Sequence, residues 1–430
     1  MKFSSFGFAP EILKALDKCG YKDMTPVQEK VIALARKGKD LLVNAQTGTG
    51  KTAAFALPII QNLLDKSNKI KQKSVHPKAL ILAPTRELAE QLSETIKSYS
   101  QFLDLNVLAV YGGVKISSQS NKLKSGVDIL IATPARLIEH LELNYVSLSQ
   151  VETLVLDEAD RMLDMGFVSD VNTIIAHMAT NHQTLLFSAT TTPALNELSY
   201  KILRNHKEIR ISKRNITAET VNHVMYPVVE SRKIDLFMAL LEEYNWYQVL
   251  VFTSTKQQAN ELLENLKKNK IKAAVCHADR SQGARRRALA DFKTAKLQVL
   301  IATEVAARGI DIIGLDYVVN YNLPFLAEDY VHRIGRTGRA GQSGNAISFV
   351  SREEEQAVNR IERIIGSKIK RLRKKGFEVS DRETLINTIA QGRNLKKSNK
   401  PSETTIKKNK KVTRSKPKKS KKKGIRSNRK

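Results

Sequence analysis

A run of eight residues, Ala45-Gln46-Thr47-Gly48-Thr49-Gly50-Lys51-Thr52, has the composition of a phosphate cradle. Such a loop can turn backbone N–H groups and the Lys51 ammonium toward a triphosphate, and Thr52 can offer a hydroxyl to Mg²⁺. Its lysine precedes Asp157-Glu158-Ala159-Asp160 by 106 residues. There Asp157 can hold the metal and Glu158 can activate a water. Alone, a glycine-threonine loop is also an ordinary tight turn, and Ala45 stands where the general phosphate-loop pattern has glycine. Together the two segments read as a nucleotide hydrolysis site.

Such a site needs both segments at the C-terminal ends of neighbouring strands. The first follows Leu41-Leu42-Val43 and the second follows Leu154-Val155-Leu156. Similar apolar runs recur at Ala79–Ala83, Val107–Val110, Ile129–Ala132 and Leu185–Phe187. A second series comprises His223–Val229, Val249–Phe252, Ala273–Cys276, Val299–Ala302, Tyr317–Val319 and Ala346–Val350. Runs of this length, rich in Val, Ile and Leu, read as buried parallel strands. The segments between them, such as Lys256–Asn269 and Arg285–Lys293, have helical spacing, so the pattern is β/α alternation twice over. This predicts an α/β protein with a first domain over residues 1–209, a linker over 210–220 and a second domain over 221–373.

Three more segments bear on the site. Gly20-Tyr21 precedes Thr25-Pro26-Val27-Gln28; a ring can stack on adenine and a carboxamide can bond its edge, although both residues also suit ordinary packing. Ser188-Ala189-Thr190 ends an apolar run and could bond Asp157 or Asp160, or simply form a turn. His332-Arg333-Ile334-Gly335-Arg336-Thr337-Gly338-Arg339 spaces its guanidiniums three residues apart beside glycines. That suits a clamp on a γ-phosphate, or plain binding to a nucleic-acid backbone.

Composition narrows the partner. The 430 residues carry a net charge of +29 and 41% apolar content, enough for two cored domains. Residues 394–430 hold 17 Lys/Arg against Glu403 alone, leaving +13 for the rest. An anionic partner should therefore meet the folded body as well as the tail, and nucleic acid fits best. The tail has too few apolar residues to insert into lipid or to bury a core, so residues 374–430 are expected to be a basic, largely disordered extension. No apolar stretch nears the ~20 residues that span a bilayer, and Met1–Phe6 has no long signal core. A soluble cytoplasmic protein without membrane association is expected. Cys19 and Cys276 read as reduced, small buried residues.

Read in order, these motifs resemble the DEAD-box RNA helicases, most of all the bacterial RhlE-type members. The likeness covers about Phe3 to about Arg373. It includes Phe3, Tyr21 to Gln28, Ala45–Thr52, Pro84-Thr85-Arg86-Glu87-Leu88, Gly112-Gly113, Thr133-Pro134-Ala135-Arg136, Asp157–Asp160 and Ser188–Thr190. It continues through Val251-Phe252-Thr253, Ser281-Gln282 with Arg285, Thr303 to Asp311, and His332–Arg339. The resemblance implies two tandem RecA-like domains with parallel sheets and ATP hydrolysis coupled to RNA. In it Phe3, Tyr21 and Gln28 serve the adenine site, Ala45 to Thr52 the phosphates and Mg²⁺, and Asp311 the ribose. Asp157 holds the metal, partly through water, and Glu158 positions the attacking water. Arg336 and Arg339 reach the γ-phosphate, while His332, Asp160, Ser188 and Thr190 couple closure to hydrolysis. RNA contacts fall to Pro84, Arg86, Gly113, Thr133, Arg136, Thr253, Gln282, Arg285 and Thr303.

The implied activity is ATP-dependent local unwinding of short RNA duplexes with weak sequence readout. An ATP-gated RNA clamp or assembly scaffold needs the same residues. A monomer acting on ribosomal precursors, or alongside RNA-decay proteins, is the expected setting. Three positions depart from the family pattern: Ala135 and Ala278 replace glycines, and Glu304 replaces an aspartate. If Ala135 begins a helix its methyl is harmless; if the backbone there needs φ > 0, RNA grip weakens.

Overall fold

The apolar runs become strands because their alternate residues find a core on each side. In the first lobe Ile81, Val155, Leu185 and Phe187 pack into one cluster, and Leu80, Leu154, Leu156 and Leu186 into another. These side chains are fully buried, each contributing about 1.5–3 kcal/mol through lost apolar exposure. A strand covered on both faces has no polar alternation, which is why these runs read as continuous.

The computed structural model describes residues 1–45, 48–67, 76–211, 221–307, 312, 314–338 and 343–379. The expectations for Gln46, Thr47, Asp311 and Arg339 lie outside the described residues, as do those for most of the linker and for residues 380–430.

Among the described residues the first sheet contains β1 (Leu41–Asn44), β2 (Ala79–Leu82), β3 (Val107–Val110), β4 (Ile129–Ala132), β5 (Thr153–Leu156), β6 (Gln183–Ser188) and β7 (Lys207–Arg210). Its order is β3-β4-β2-β5-β6-β1-β7, and all pairs are parallel. The second sheet contains β8 (Val221–Pro227), β9 (Val249–Thr253), β10 (Ala273–Cys276), β11 (Val299–Thr303), β12 (Tyr317–Asn320), β13 (Gly344–Val350) and β14 (Lys370–Arg371). Its order, β10-β11-β9-β12-β13-β8-β14, is again parallel throughout. The two parallel-sheet RecA-like lobes expected from sequence are present.

Two short strands were not anticipated. β7 and β14 are polar and mostly exposed, and each adds to the outer edge of its sheet. Lysines on both keep these edges from pairing further. Beyond β14, Leu372 and Phe377 still pack on the second lobe, with Arg232 over the Phe377 ring at 4.5 Å. The compact body runs to Glu378.

Because every strand is parallel, all the strand C-termini of a lobe open on one side. In the first lobe β1 leads to the loop before Lys51, β5 to Asp157 and β6 to Ser188. β6 lies between β1 and β5 and joins the two halves of the site. Among the described residues no helix is long and apolar enough to cross a membrane. Cys19 and Cys276 are free, the first half-buried and the second buried.

Candidate nucleotide and nucleic-acid site

The phosphate loop is tied down on two sides. The Ala45 amide donates to the Ser188 carbonyl at 2.9 Å, fixing the exit of β1 against β6. On the other side Thr25 caps the helix Pro26–Ala35, and its side chain and that of Gln28 form a reciprocal capping box. The Thr25 hydroxyl also donates to the Thr49 carbonyl at 2.8 Å, and Gln28 Nε2 donates to the Gly50 carbonyl at 3.2 Å. Gly48 and Gly50 have φ of +81° and +89°, where a side chain strains the backbone. A Cβ on Gly50 would stand 2.4 Å from Gln28 Nε2.

Gln28 is thus first a strap on the loop. Its Oε1 accepts from the Thr25 amide at 2.8 Å, so one acceptor site and one donor remain for another partner. Tyr21 is set by aromatic packing. It meets Phe3 and Tyr99 edge-on, at 6.0 and 5.7 Å between ring centres, and its hydroxyl bonds that of Tyr99 at 2.7 Å. Phe3 is buried behind it.

The helix Lys51–Ser67 begins at the lysine, which is only 6% exposed. Its Nζ has no hydrogen-bond partner among the described residues. Asp157 and Asp160 feel its charge. Asp157 is 3% exposed, and burial, partly opposed by Lys51, pushes its carboxyl up to about 6. Asp160 behaves oppositely. Burial would raise it, but Lys51, His332 and the Thr190 hydroxyl hold it below the usual carboxylate range. Its Oδ2 accepts from the Ala189 and Thr190 amides at 3.1 and 2.9 Å and from Thr190 Oγ1 at 2.9 Å. Ser188 Oγ donates to the Thr190 carbonyl at 2.6 Å and shapes the same turn.

Glu158 sits between them with φ +53° and ψ +50°, a left-handed conformation that costs about 1–3 kcal/mol outside glycine. The turn lets β5 pass directly into the helix Ala159–Asp164 while presenting both Asp157 and Glu158. A buried ammonium with unspent donors beside a buried carboxylate of raised pKa is a suitable receptor for a polyphosphate paired with a divalent cation. Among the described residues no three His, Cys, Asp or Glu side chains converge on a metal position. A cation here could use Asp157, the Thr52 hydroxyl and oxygens of its phosphate partner, which suits Mg²⁺.

The second lobe supplies the helix Ala327–Ile334 and the turn after it. Arg333 points inward, with Glu304 at 2.6 Å, Asn320 at 3.1 Å, the Asn322 carbonyl at 2.7 Å and the Phe252 ring at 4.9 Å. His332 turns toward the first lobe, where its charge is felt by Asp160. Arg336 is half-buried in the turn, its amide bonded to the Arg333 carbonyl at 3.2 Å and its carbonyl to the Leu315 amide at 3.2 Å.

The residues expected to touch RNA divide into two groups. Pro84 and Thr133 lie at the ends of β2 and β4, each just before a helix, and Thr253 and Thr303 end β9 and β11. Arg86 and Gly113 fit each other, since a Cβ on Gly113 (φ +81°) would stand 1.9 Å from Arg86 Nη1. Arg136 is drawn inward to the Val114 carbonyl at 3.0 Å, Gln119 Oε1 at 3.1 Å and Glu139 at 2.9 Å. Gln282 and Arg285 cross to the first lobe and meet Glu87 at 3.2 and 2.8 Å. Gln282 Oε1 and Arg285 Nε are buried without hydrogen-bond partners among the described residues.

The three departures acquire local explanations. Ala135 is exposed in the first turn of the helix Pro134–Glu142, so its methyl is harmless there. Neither it nor Ala278 has positive φ. Glu304 gains Arg333 as an ion-pair partner. Sequence reasoning passed over Thr25, Glu87 and Arg161. Their nearby motifs were visible, but the partner of Arg161, Asp329, lies 168 positions away and nothing local announces it.

The DEAD/DEAH box helicase family matches residues 25–198, and the helicase conserved C-terminal domain matches residues 232–341. The chain is 43% identical over 353 residues to the ATP-dependent RNA helicase CshA of Listeria monocytogenes, covering 82% of this chain and 66% of that one. It is 40% identical over 380 residues to the DEAD-box ATP-dependent RNA helicase CshA of Streptococcus pneumoniae, covering 88% and 71%. Neither relative bears an RhlE-type name. Among solved structures, S. cerevisiae Dbp5 bound to RNA and ADP BeF3 aligns with a TM-score of 0.75 at 28% identity, covering 91% of this chain and 99% of that one.

Proposed function

Because this chain belongs to the DEAD-box ATP-dependent RNA helicase family, we propose that it hydrolyses ATP when RNA is bound and separates short RNA duplexes locally. The observation that carries the reading is Lys51 Nζ, buried without a hydrogen-bond partner among the described residues and beside Asp157 and Asp160. A charge is not kept buried and unsatisfied unless a ligand completes it. The β- and γ-phosphates supply that ligand, with the loop amides and Thr52 around them. Asp157 and Thr52 would hold Mg²⁺, which would supply neutralisation of the charge that develops on the phosphates.

Gln28 offers its remaining donor and acceptor to the adenine edge, beside Tyr21. Glu158 orients the attacking water, and Arg336 with Arg339 stabilises the γ-phosphate as it leaves. His332 and Asp160 register that the lobes have met. Asp311 meets the ribose. RNA lies along Pro84, Arg86, Gly113, Thr133 and Arg136 in the first lobe and Thr253, Gln282, Arg285 and Thr303 in the second. These are hydroxyls, amides and guanidiniums suited to phosphate and sugar, so sequence readout is weak. A bent single strand fits this path, and a duplex must lose pairs to follow it. Residues 394–430 add counterion-release affinity, and deleting them should flatten the salt dependence of RNA binding. The setting is cytoplasmic, with structured RNA as the partner.

The test is displacement of one strand of a short RNA duplex. ATP-dependent release of that strand is expected. ATP-dependent retention of RNA without release would replace unwinding by clamping, and indifference to ATP would end the proposal.

A further inference from the structure

On the nucleotide side a buried guanidinium joins the lobes. Arg161, in the first lobe's helix Ala159–Asp164, is 4% exposed. Its Nη1 donates to Asp329 Oδ1 of the second lobe at 2.9 Å, while its Nε stays 4.0 Å from Glu158 Oε2 in its own lobe. Glu304, also of the second lobe, adds a third negative charge to its surroundings. Although burial opposes it, these carboxylates hold the guanidinium pKa above its ordinary value. Glu158 Oε2 has no hydrogen-bond partner among the described residues.

The arrangement is a competition. Arg161 lies three residues after Glu158, a spacing at which helical side chains meet. A buried guanidinium cannot stand without an acceptor, because an unpaired buried charge is far more costly than a paired one. When Asp329 takes Nη1, Glu158 is left at ion-pair distance with one oxygen uncommitted. When the second lobe withdraws, Asp329 and Glu304 go with it, water reaches the guanidinium, and Glu158 is the carboxylate left at ion-pair distance. Arg161 would then close the 4.0 Å gap and occupy the oxygen that a water must meet.

We infer that Arg161 is a positioning residue that restrains Glu158 while the lobes are apart and lets it go when they dock and Asp329 takes the guanidinium. This rests on the reading that docking on RNA triggers ATP hydrolysis. It gives that trigger a physical part: RNA raises turnover by moving a guanidinium off the residue that orients water. Asp329 Oδ1 also lies 3.8 Å from His332 Nδ1 of its own helix, and its part in this release is played through Arg161.

Steady-state ATP turnover of the full chain tests this, at saturating ATP with and without poly(U). The proteins are wild type, Arg161→Gln, Asp329→Asn and the double variant, with thermal melting in parallel. Asp329→Asn should lower RNA-stimulated kcat about tenfold with KM for ATP within about twofold, an ordinary size for a broken coupled pair. Arg161→Gln should raise RNA-free turnover severalfold, which a purely structural contact would not do. In the Arg161→Gln background, Asp329→Asn should change kcat by less than about twofold, because its loss acts through the missing guanidinium. The Arg161→Gln measurement stands even if Asp329→Asn melts too low to assay. A wild type unmoved by RNA overturns the functional reading and this inference together. A stimulated wild type in which Arg161→Gln leaves the RNA-free rate unchanged, or in which Asp329→Asn lowers kcat as far with Arg161→Gln as without it, overturns the inference alone.

Discussion

The two lobes meet the nucleotide side in opposite electrostatic conditions. In the first, Lys51 Nζ lacks a hydrogen-bond partner among the described residues, burial pushes Asp157 up to about 6, and Glu158 holds φ +53°. In the second, Arg333 is fully engaged by Glu304, Asn320, the Asn322 carbonyl and the Phe252 ring. The first lobe keeps unsatisfied charge and backbone strain where a ligand can relieve them. The second spends its charges on rigidity, so that His332 and Arg336 arrive from a fixed frame. One lobe is a receptor, and the other is a positioner.

The largest way to break this comparison is Glu158→Gln, which keeps shape and removes the carboxylate. RNA-stimulated turnover should fall about 10²–10⁴-fold, the range for losing a general base. Nucleotide binding, read by fluorescence of a labelled analogue, should persist. If turnover survives, the Glu158 carboxylate is not the group that handles water.

Acidification comes next. A protonated Asp157 cannot hold a cation, so turnover should fall about tenfold per unit below a pH of about 6 and level off above it. Stability should move the other way. The folded pKa is raised, so the contribution is full below the unfolded value and is lost as pH rises through about 6. Asp157→Asn should remove about 3 kcal/mol of that pH dependence in urea titrations without nucleotide. An unchanged profile would mean that Asp157 is not held under this burden.

Gly50→Ala sharpens the comparison at the loop. With φ +89° and the new Cβ 2.4 Å from Gln28 Nε2, either the strap or the loop must shift. A loss of about 1–3 kcal/mol in urea unfolding is expected. A neutral result would show that Gln28 does not hold Gly50 in place.

The sequence carried most of this fold because strands buried on both faces leave unbroken apolar runs. Val107–Val110, Ile129–Ala132 and Ala273–Cys276 have the same limits in sequence and structure. β7 and β14 were hard to read because these edge strands are mostly Lys, Glu and Arg, with Ile209 the single apolar residue of β7. At the site, residue types revealed Lys51, Asp157 and Glu158, since their chemistry is local to a motif. The packing of Tyr21 on Tyr99, the Thr25 bond to Thr49, and the Arg161–Asp329 pair depend on which strands become neighbours. No spacing in the chain encodes them directly.

The central claim is that the first lobe is half a site, completed by the second when RNA is present. ATP turnover against RNA concentration, for wild type and Arg336→Gln beside measured nucleotide affinity, tests it most directly. The account predicts that RNA stimulates the wild type, while Arg336→Gln binds nucleotide normally and loses about 10³-fold or more in stimulated kcat, as an arginine finger should. Equal stimulation of both proteins would contradict it.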